Sequence, residues 1–289
     1  MSRASLRFCV IVFAAAALVA ADAPARHATL DGMRIHYESY GTGKQAVVFI
    51  HGWTCDLTFW RMQAPVYEKH RSLLIDLPGH GESDKPEIAY TQDLFARSVE
   101  AVMRDSGVEK AVLVGHSMGT PVALTFLRHY PEKVSGLVIV DGFIQQPPKD
   151  DAEREKRAAQ SAERVKAYRT PDYKAAMAGM FKFMFTSQTP PAMQDEIRTK
   201  MLRAPQYVVA SAMEGMMALE PLPAKTQFPV PAMAIMVKRP SQTTYEEYLR
   251  SLFPNLRIYQ SWEGAGHFLM MEQPKRFKTA LTEFLDGIR

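Results

Sequence analysis

The chain has 289 residues, 47% hydrophobic and 23% charged, which suits one large α/β unit with an insertion better than two independent domains. Its formal net charge of +4 is small for this length and spread along the sequence, so nucleic acid is excluded as the expected partner.

At the N-terminus Arg3 and Arg7 precede the apolar run Phe8 to Ala20, and the small residues Ala21 and Ala23 follow. A charged start, a short apolar core and a small-residue site form the pattern of a secretory signal peptide, and the run is too short for a comfortable membrane span. The expectation is a signal over residues 1–23, cleaved near Ala21 or Ala23, a secreted or periplasmic mature protein and no stable membrane insertion after cleavage. An uncleaved anchor is the rival. Cys9 lies in the segment to be removed, which leaves Cys55 alone and expected as a packed thiol.

Asp31-Gly32 between β-rich runs predicts a hairpin. Ala46 to Ile50 is a continuous apolar run, as in a strand buried on both faces of a parallel sheet, and residues 72–75, 111–114, 136–140, 232–237 and 256–259 repeat it. Helical segments at 94–105, 121–129 and 274–285 lie between them. Alternation of this kind predicts a mostly parallel, doubly wound α/β sheet with its functional groups at the C-terminal strand ends.

The rhythm breaks after strand 6. The expected division is core 24–142, a helical cap 143–229 and core 230–289. Asp150 to Tyr168 reads as a charged helix with a solvated face. Met177, Met180, Phe181, Met184 and Phe185, then Val209, Met213, Met216 and Met217, follow helical apolar spacing. Packing alone explains such stripes. An insertion following a strand end would also lay them over the site, and methionines adapt to irregular apolar shapes, so Met180, Met184, Met213 and Met217 are the candidate substrate contacts.

Gly115-His116-Ser117-Met118-Gly119 sits between an apolar β-branched run and a helix-compatible one. This is G-x-S-x-G, a strand-to-helix turn that lifts the serine hydroxyl clear of the sheet, with glycines where bulk would clash. A serine needs a base to take its proton. Of eight histidines, His267 in Gly264-Ala265-Gly266-His267-Phe268 has the best setting, a glycine-bearing loop between the last strand and the final helix. His116 points away from its neighbour on such a turn, and His51 and His80 read as loop-holding residues. The oxyanion of a tetrahedral intermediate requires amide donors, for which Met118 N–H and Trp53 N–H are the candidates.

Together, His51-Gly52-Trp53, Asp76-Leu77-Pro78-Gly79-His80-Gly81-Glu82-Ser83, the turn at Ser117 and Gly266-His267-Phe268 resemble the α/β-hydrolase superfamily in its cap-bearing serine-esterase branch. The resemblance implies the order nucleophile, acid, histidine. Similar members usually carry an Asp after the seventh strand, but Ile235 to Gln242 contains no carboxylate. Some branches, including the haloalkane-dehalogenase-like one, place the acid after the sixth strand, which points to Asp141; Glu246 or Glu247, another group, or a dyad without an acid are the alternatives. Serine in place of a carboxylate nucleophile argues against dehalogenase or epoxide-hydrolase chemistry.

No metal-ligand spacing and no dinucleotide fingerprint is present, so neither cofactor nor metal is expected. The expected function is hydrolysis of small, largely apolar carboxylic esters through an acyl-enzyme. Lactonase, amidase, perhydrolase or acyltransferase chemistry on the same residues is the first alternative, and a non-catalytic ligand-binding protein of the same fold is the second. The oligomeric state is left open.

Overall fold

Residues whose side chains are apolar on both faces can be buried only between two helical layers, and that is where the continuous runs go. The computed structural model describes residues 25–43, 45–67, 69–239 and 244–288. The signal segment expected over 1–23 lies outside the described residues. Among those described, no helix is long and apolar enough to cross a membrane.

The strands are β1 (Arg26–Leu30), β2 (Met33–Tyr40), β3 (Ala46–Ile50), β4 (Arg71–Ile75), β5 (Ala111–His116), β6 (Val134–Val140), β7 (Ala232–Val237) and β8 (Leu256–Trp262). They form one eight-stranded sheet in the order β1-β2-β4-β3-β5-β6-β7-β8. The pairs β1–β2 and β2–β4 are antiparallel, and all the others are parallel. Asp31 and Gly32 both take positive φ, 50° and 79°, the backbone that a two-residue hairpin loop matched to strand twist requires. Every residue of β3, β5 and β7 is buried, in keeping with strands covered on both faces.

Helices α1 (Ala64–Tyr67), α2 (Gln92–Ser106) and α3 (Gly119–His129) precede the break in the pattern, and α8 (Tyr245–Leu252), α9 (Leu269–Glu272) and α10 (Pro274–Gly287) follow it. Between β6 and β7 the chain forms four helices and no strand: α4 (Asp151–Tyr168), α5 (Tyr173–Met184), α6 (Pro191–Met201) and α7 (Gln206–Met217). Thr91 caps α2 by accepting the Leu94 amide, and Gly107 ends it with φ 66°. β3 and β7 coincide with the apolar runs, β4 and β6 begin one and two residues earlier, and β5 and β8 end two and three residues later, where ladder pairing with the neighbouring strand continues.

The sheet centre is tight where β3 meets the turn after β5. A Cβ on Gly119 would lie 2.3 Å from the Ile50 carbonyl oxygen, whereas one on Gly179 in α5 would meet nothing within 4 Å. Gly119→Ala is therefore expected to lower stability by about 1–3 kcal/mol through overpacking, and Gly179→Ala to raise it by about 0.5–1 kcal/mol. Thermal unfolding of the two variants checks the opposite signs.

Candidate active site

The sharp turn between β5 and α3 sets the site. Ser117 has φ 51°, a left-handed conformation that costs an ordinary side chain energy and persists only where surroundings hold it. Its amide donates to Val140 O at 3.0 Å and its carbonyl accepts from Thr120 N at 3.0 Å, so the turn is tied to β6 and to its own helix. A Cβ on Gly115 would come within 2.4 Å of the Gly119 carbonyl oxygen, which explains the bare backbone on both sides of the serine.

One strand away, Asp141 ends β6 and also takes positive φ, 39°. Its successor, Gly142, has no space for a side chain: a Cβ there would lie 1.8 Å from Thr120 Oγ1. The kink delivers a fully buried carboxylate to the sheet edge. His267 Nδ1 donates to Asp141 Oδ2 at 2.6 Å. With the Nδ1 proton so assigned, Nε2 is left with its lone pair.

His267 is fixed along its backbone too. Its amide donates to Met184 O at 2.8 Å, at the end of cap helix α5, and its carbonyl accepts from His116 Nε2 at 2.9 Å. Burial pushes the His116 imidazole down to about 3, so it is a neutral support. Gly266 N–H is held by Glu272 Oε2 at 2.7 Å. None of these supports was read from the sequence, beyond His116 being a neighbour that points away from Ser117.

The second partner of Asp141 was not foreseen either. Arg239, just past β7, forms a bidentate pair with it, Nη1 to Oδ1 at 2.9 Å and Nη2 to Oδ2 at 2.8 Å, and Val237 N–H donates to Oδ1 at 3.0 Å. Burial alone would raise the Asp141 carboxyl, but the His267 hydrogen bond and charge, joined by the Arg239 guanidinium, outweigh it and hold the group well below the usual carboxylate range. Glu246 is engaged elsewhere, paired with Arg250 on the exposed side of α8 at 2.7 Å. Glu247 shares that helix. Of the three carboxylates weighed from the sequence, Asp141 is the one against His267.

Two cavities meet at this point. The first, about 680 Å³, is lined by Trp53, Tyr168, Met180, Met184, Met213 and Phe268. The second, about 610 Å³, is the more polar of the two: beside apolar side chains such as Leu124, Phe143 and Leu222 it includes Arg128, Gln145, Gln160 and Glu220. Ser117, Arg164, Met216, Arg239 and His267 line both. Three of the four methionines expected at a substrate thus share the apolar cavity, while Met217 lies along the polar one. The charged helix α4 is exposed along most of its length, as its sequence predicts, and Arg157, Gln160, Ser161 and Arg164, which helical spacing puts on one side, also border the more polar cavity.

Trp53 and Met118 flank the serine from β3 and α3 and are themselves buried. Among the described residues, neither amide is taken up by a backbone carbonyl. The Trp53 indole donates to Val209 O at 3.0 Å, which pins the loop to cap helix α7.

Loop-holding roles account for the remaining motif residues. His51 Nδ1 donates to Gly52 O at 2.8 Å while its Nε2 accepts from Leu77 N at 3.0 Å. His80 Nδ1 donates to Pro78 O at 2.9 Å, and burial lowers its imidazole to about 3. Asp76 gathers Leu57 N, Glu82 N and His36 Nδ1 at 2.7–2.9 Å, which orders the loop from Gly79 to Ser83. Cys55 is buried, and burial pushes its thiol well up, so it is a poor nucleophile. Among the described residues no cluster of His, Cys, Asp or Glu could hold a metal ion.

Comparison with known proteins places this geometry in context. A family model described as the alpha/beta hydrolase fold matches residues 45–218. A 2-hydroxy-6-oxononadienedioate/2-hydroxy-6-oxononatrienedioate hydrolase of Paraburkholderia phymatum is 36% identical over 121 residues, 40% of this chain and 42% of that protein. The dihydrolipoyllysine-residue acetyltransferase component of an acetoin cleaving system from Cupriavidus necator is 36% identical over 121 residues, 42% of this chain and 32% of that one. The chain thus spans well under half the length of these relatives. Among solved structures, a thermophilic esterase from Thermogutta terrifontis superposes with TM-score 0.77 at 25% identity, over 91% of this chain and 98% of the other. An N-acyl homoserine lactone degrading enzyme superposes with TM-score 0.76 at 24% identity, over 90% and 100%, and shares the fold.

The depressed Asp141 carboxyl has a pH consequence. A folded-state value below the unfolded one, about 3.9, contributes stability that is present above pH ~4 and lost as the pH falls through the folded value. Arg239→Gln narrows that gap, so the variant is expected to unfold at a higher pH than the wild type in an acid titration followed by circular dichroism. An unchanged acid midpoint would mean that Arg239 contributes nothing to holding Asp141 ionised.

Proposed function

The chain belongs to the alpha/beta hydrolase fold family, and within it we propose a serine hydrolase that cleaves carboxylic esters through an acyl-enzyme. The observation that supports this reading is that Ser117 and His267 line the same two cavities, with the imidazole held on Asp141 at 2.6 Å. In this reading His267 Nε2 takes the Ser117 proton as Oγ attacks the ester carbonyl. Trp53 and Met118 amides receive the oxyanion, and the proton passes to the departing alkoxide. Water, deprotonated by the same nitrogen, then releases the acid.

Electrostatics supports the assignment of roles. A buried carboxylate that stays ionised stabilises the imidazolium formed in each half-reaction, and it fixes the tautomer beforehand. The apolar cavity, with Met180, Met184 and Met213, suits a hydrocarbon group on one side of the scissile bond.

A fluorophosphonate probe is expected to label Ser117 in the folded protein and not the Ser117→Ala variant, and a chromogenic short-chain ester should be turned over only by the former. A folded protein that neither labels nor turns over any ester would instead be a ligand-binding relative of these enzymes. Asp141→Asn should reduce kcat by about 10³–10⁴-fold, because the amide no longer enforces the productive tautomer. Near-wild-type kcat in that variant, with its melting temperature unchanged, would remove Asp141 from the mechanism.

A further inference from the structure

The polar cavity beside Ser117 carries more positive charge than its neighbours neutralise. Four guanidinium groups line it, from Arg128 on α3, Arg157 and Arg164 on α4, and Arg239 after β7. Two of them are occupied. Arg239 is committed to Asp141 through both terminal nitrogens, and Arg157 donates to Glu153 Oε1 at 2.6 Å and Gln146 O at 2.7 Å. Among the described residues no carboxylate pairs with Arg128 or Arg164. Against these two stands one acid, Glu220, once the Asp141–Arg239 pair is set aside.

Position gives this surplus its meaning. Arg164 borders both cavities together with Ser117 and His267, so a substrate that bridges the two shares its space with this guanidinium. On α4 it shares a face with Gln160 and Ser161, whose neutral polar groups add hydrogen-bonding partners without cancelling charge. The opposite cavity offers methionine and aromatic surface instead. A substrate seated across Ser117 therefore meets methionine and aromatic surface on one side, a mixed lining of apolar side chains and guanidinium groups on the other, and Arg164 at the border of both.

We propose that the substrate is an amphiphilic ester, with a hydrocarbon group on one side of the scissile bond and a carboxylate on the other, the carboxylate being received by Arg164 with Arg128 in support. The inference rests on the esterase reading of Ser117 and adds the substrate class to it. A planar guanidinium matches a carboxylate through paired N–H donors, which a neutral ester cannot use. Because Arg164 is exposed at the rim, the attraction is partly screened by solvent and falls with added salt.

Two matched pairs of esters test it by placing the anion on either half. The first pair is para-nitrophenyl hemiglutarate against para-nitrophenyl pentanoate, with the anion on the acyl half. The second is para-(butyryloxy)benzoate against its methyl ester, with the anion on the leaving half. In one pair the anionic member is expected to have about 10-fold higher kcat/KM at low salt, with the ratio shrinking as salt is raised. Arg164→Gln should bring that ratio to about one, while Arg154→Gln, on the same helix but paired with Asp151 and away from the cavity, should leave it intact. Preference for the neutral member in both pairs, or a ratio that survives Arg164→Gln combined with Arg128→Gln, overturns the inference and leaves the esterase reading standing. No turnover of any of the four esters overturns both.

Discussion

One buried carboxylate holds the functional edge of this protein together. Asp141 takes donors from three residues on two segments: Val237 N–H at the end of β7 with the Arg239 guanidinium just beyond it, and the His267 imidazole from the loop after β8. A buried anion left short of partners would be costly, so each of those segments is drawn to the end of β6. His267 is then closed in from the other side by the Met184 carbonyl and the His116 ring, which couples the base to the cap and to the strand bearing the serine. The helical segment between β6 and β7 thus helps to place His267 as well as lining both cavities.

The same carboxylate sets the charge balance. With His267 neutral, Asp141 and Arg239 cancel; in the proposed mechanism the imidazole accepts a proton and the cluster becomes cationic just as an oxyanion forms at Ser117. Arg239 and the imidazolium compete for one carboxylate, but the two oxygens divide the load, since Oδ1 serves Val237 and Arg239 while Oδ2 serves His267 and Arg239. Arg239 thereby keeps Asp141 ionised at the expense of some of the pull it exerts on His267.

Much of this was legible beforehand, where local chemistry dictates the outcome. Apolar runs fixed the strands, Asp31-Gly32 the hairpin, and Gly115 and Gly119 the turn at Ser117, because each is a demand that neighbouring residues impose on one another. Contacts between residues distant in sequence were not legible. Nothing in Lys238-Arg239 announces a partner 98 residues earlier. The stripe Arg157, Gln160, Ser161 and Arg164 has clear helical periodicity, yet a polar stripe facing a cavity and one facing bulk water look alike until the helix is docked.

The position of the acid shows how the fold tolerates such a change. Parallel strands β6 and β7 pair with Val140 beside Ile235, and β7 runs two residues further to Val237, whose amide donates to Asp141. The carboxylate after β6 reaches the His267 imidazole because the backbone turns it inward. On β6 that turn requires the positive φ of Asp141 and the bare backbone of Gly142 packed against Thr120. Once the acid sits on β6, the segment after β7 no longer has to supply one, and a carboxylate there would repel Asp141. Arg239 occupies that segment with the opposite charge, which turns a potential repulsion into the bond that anchors the site.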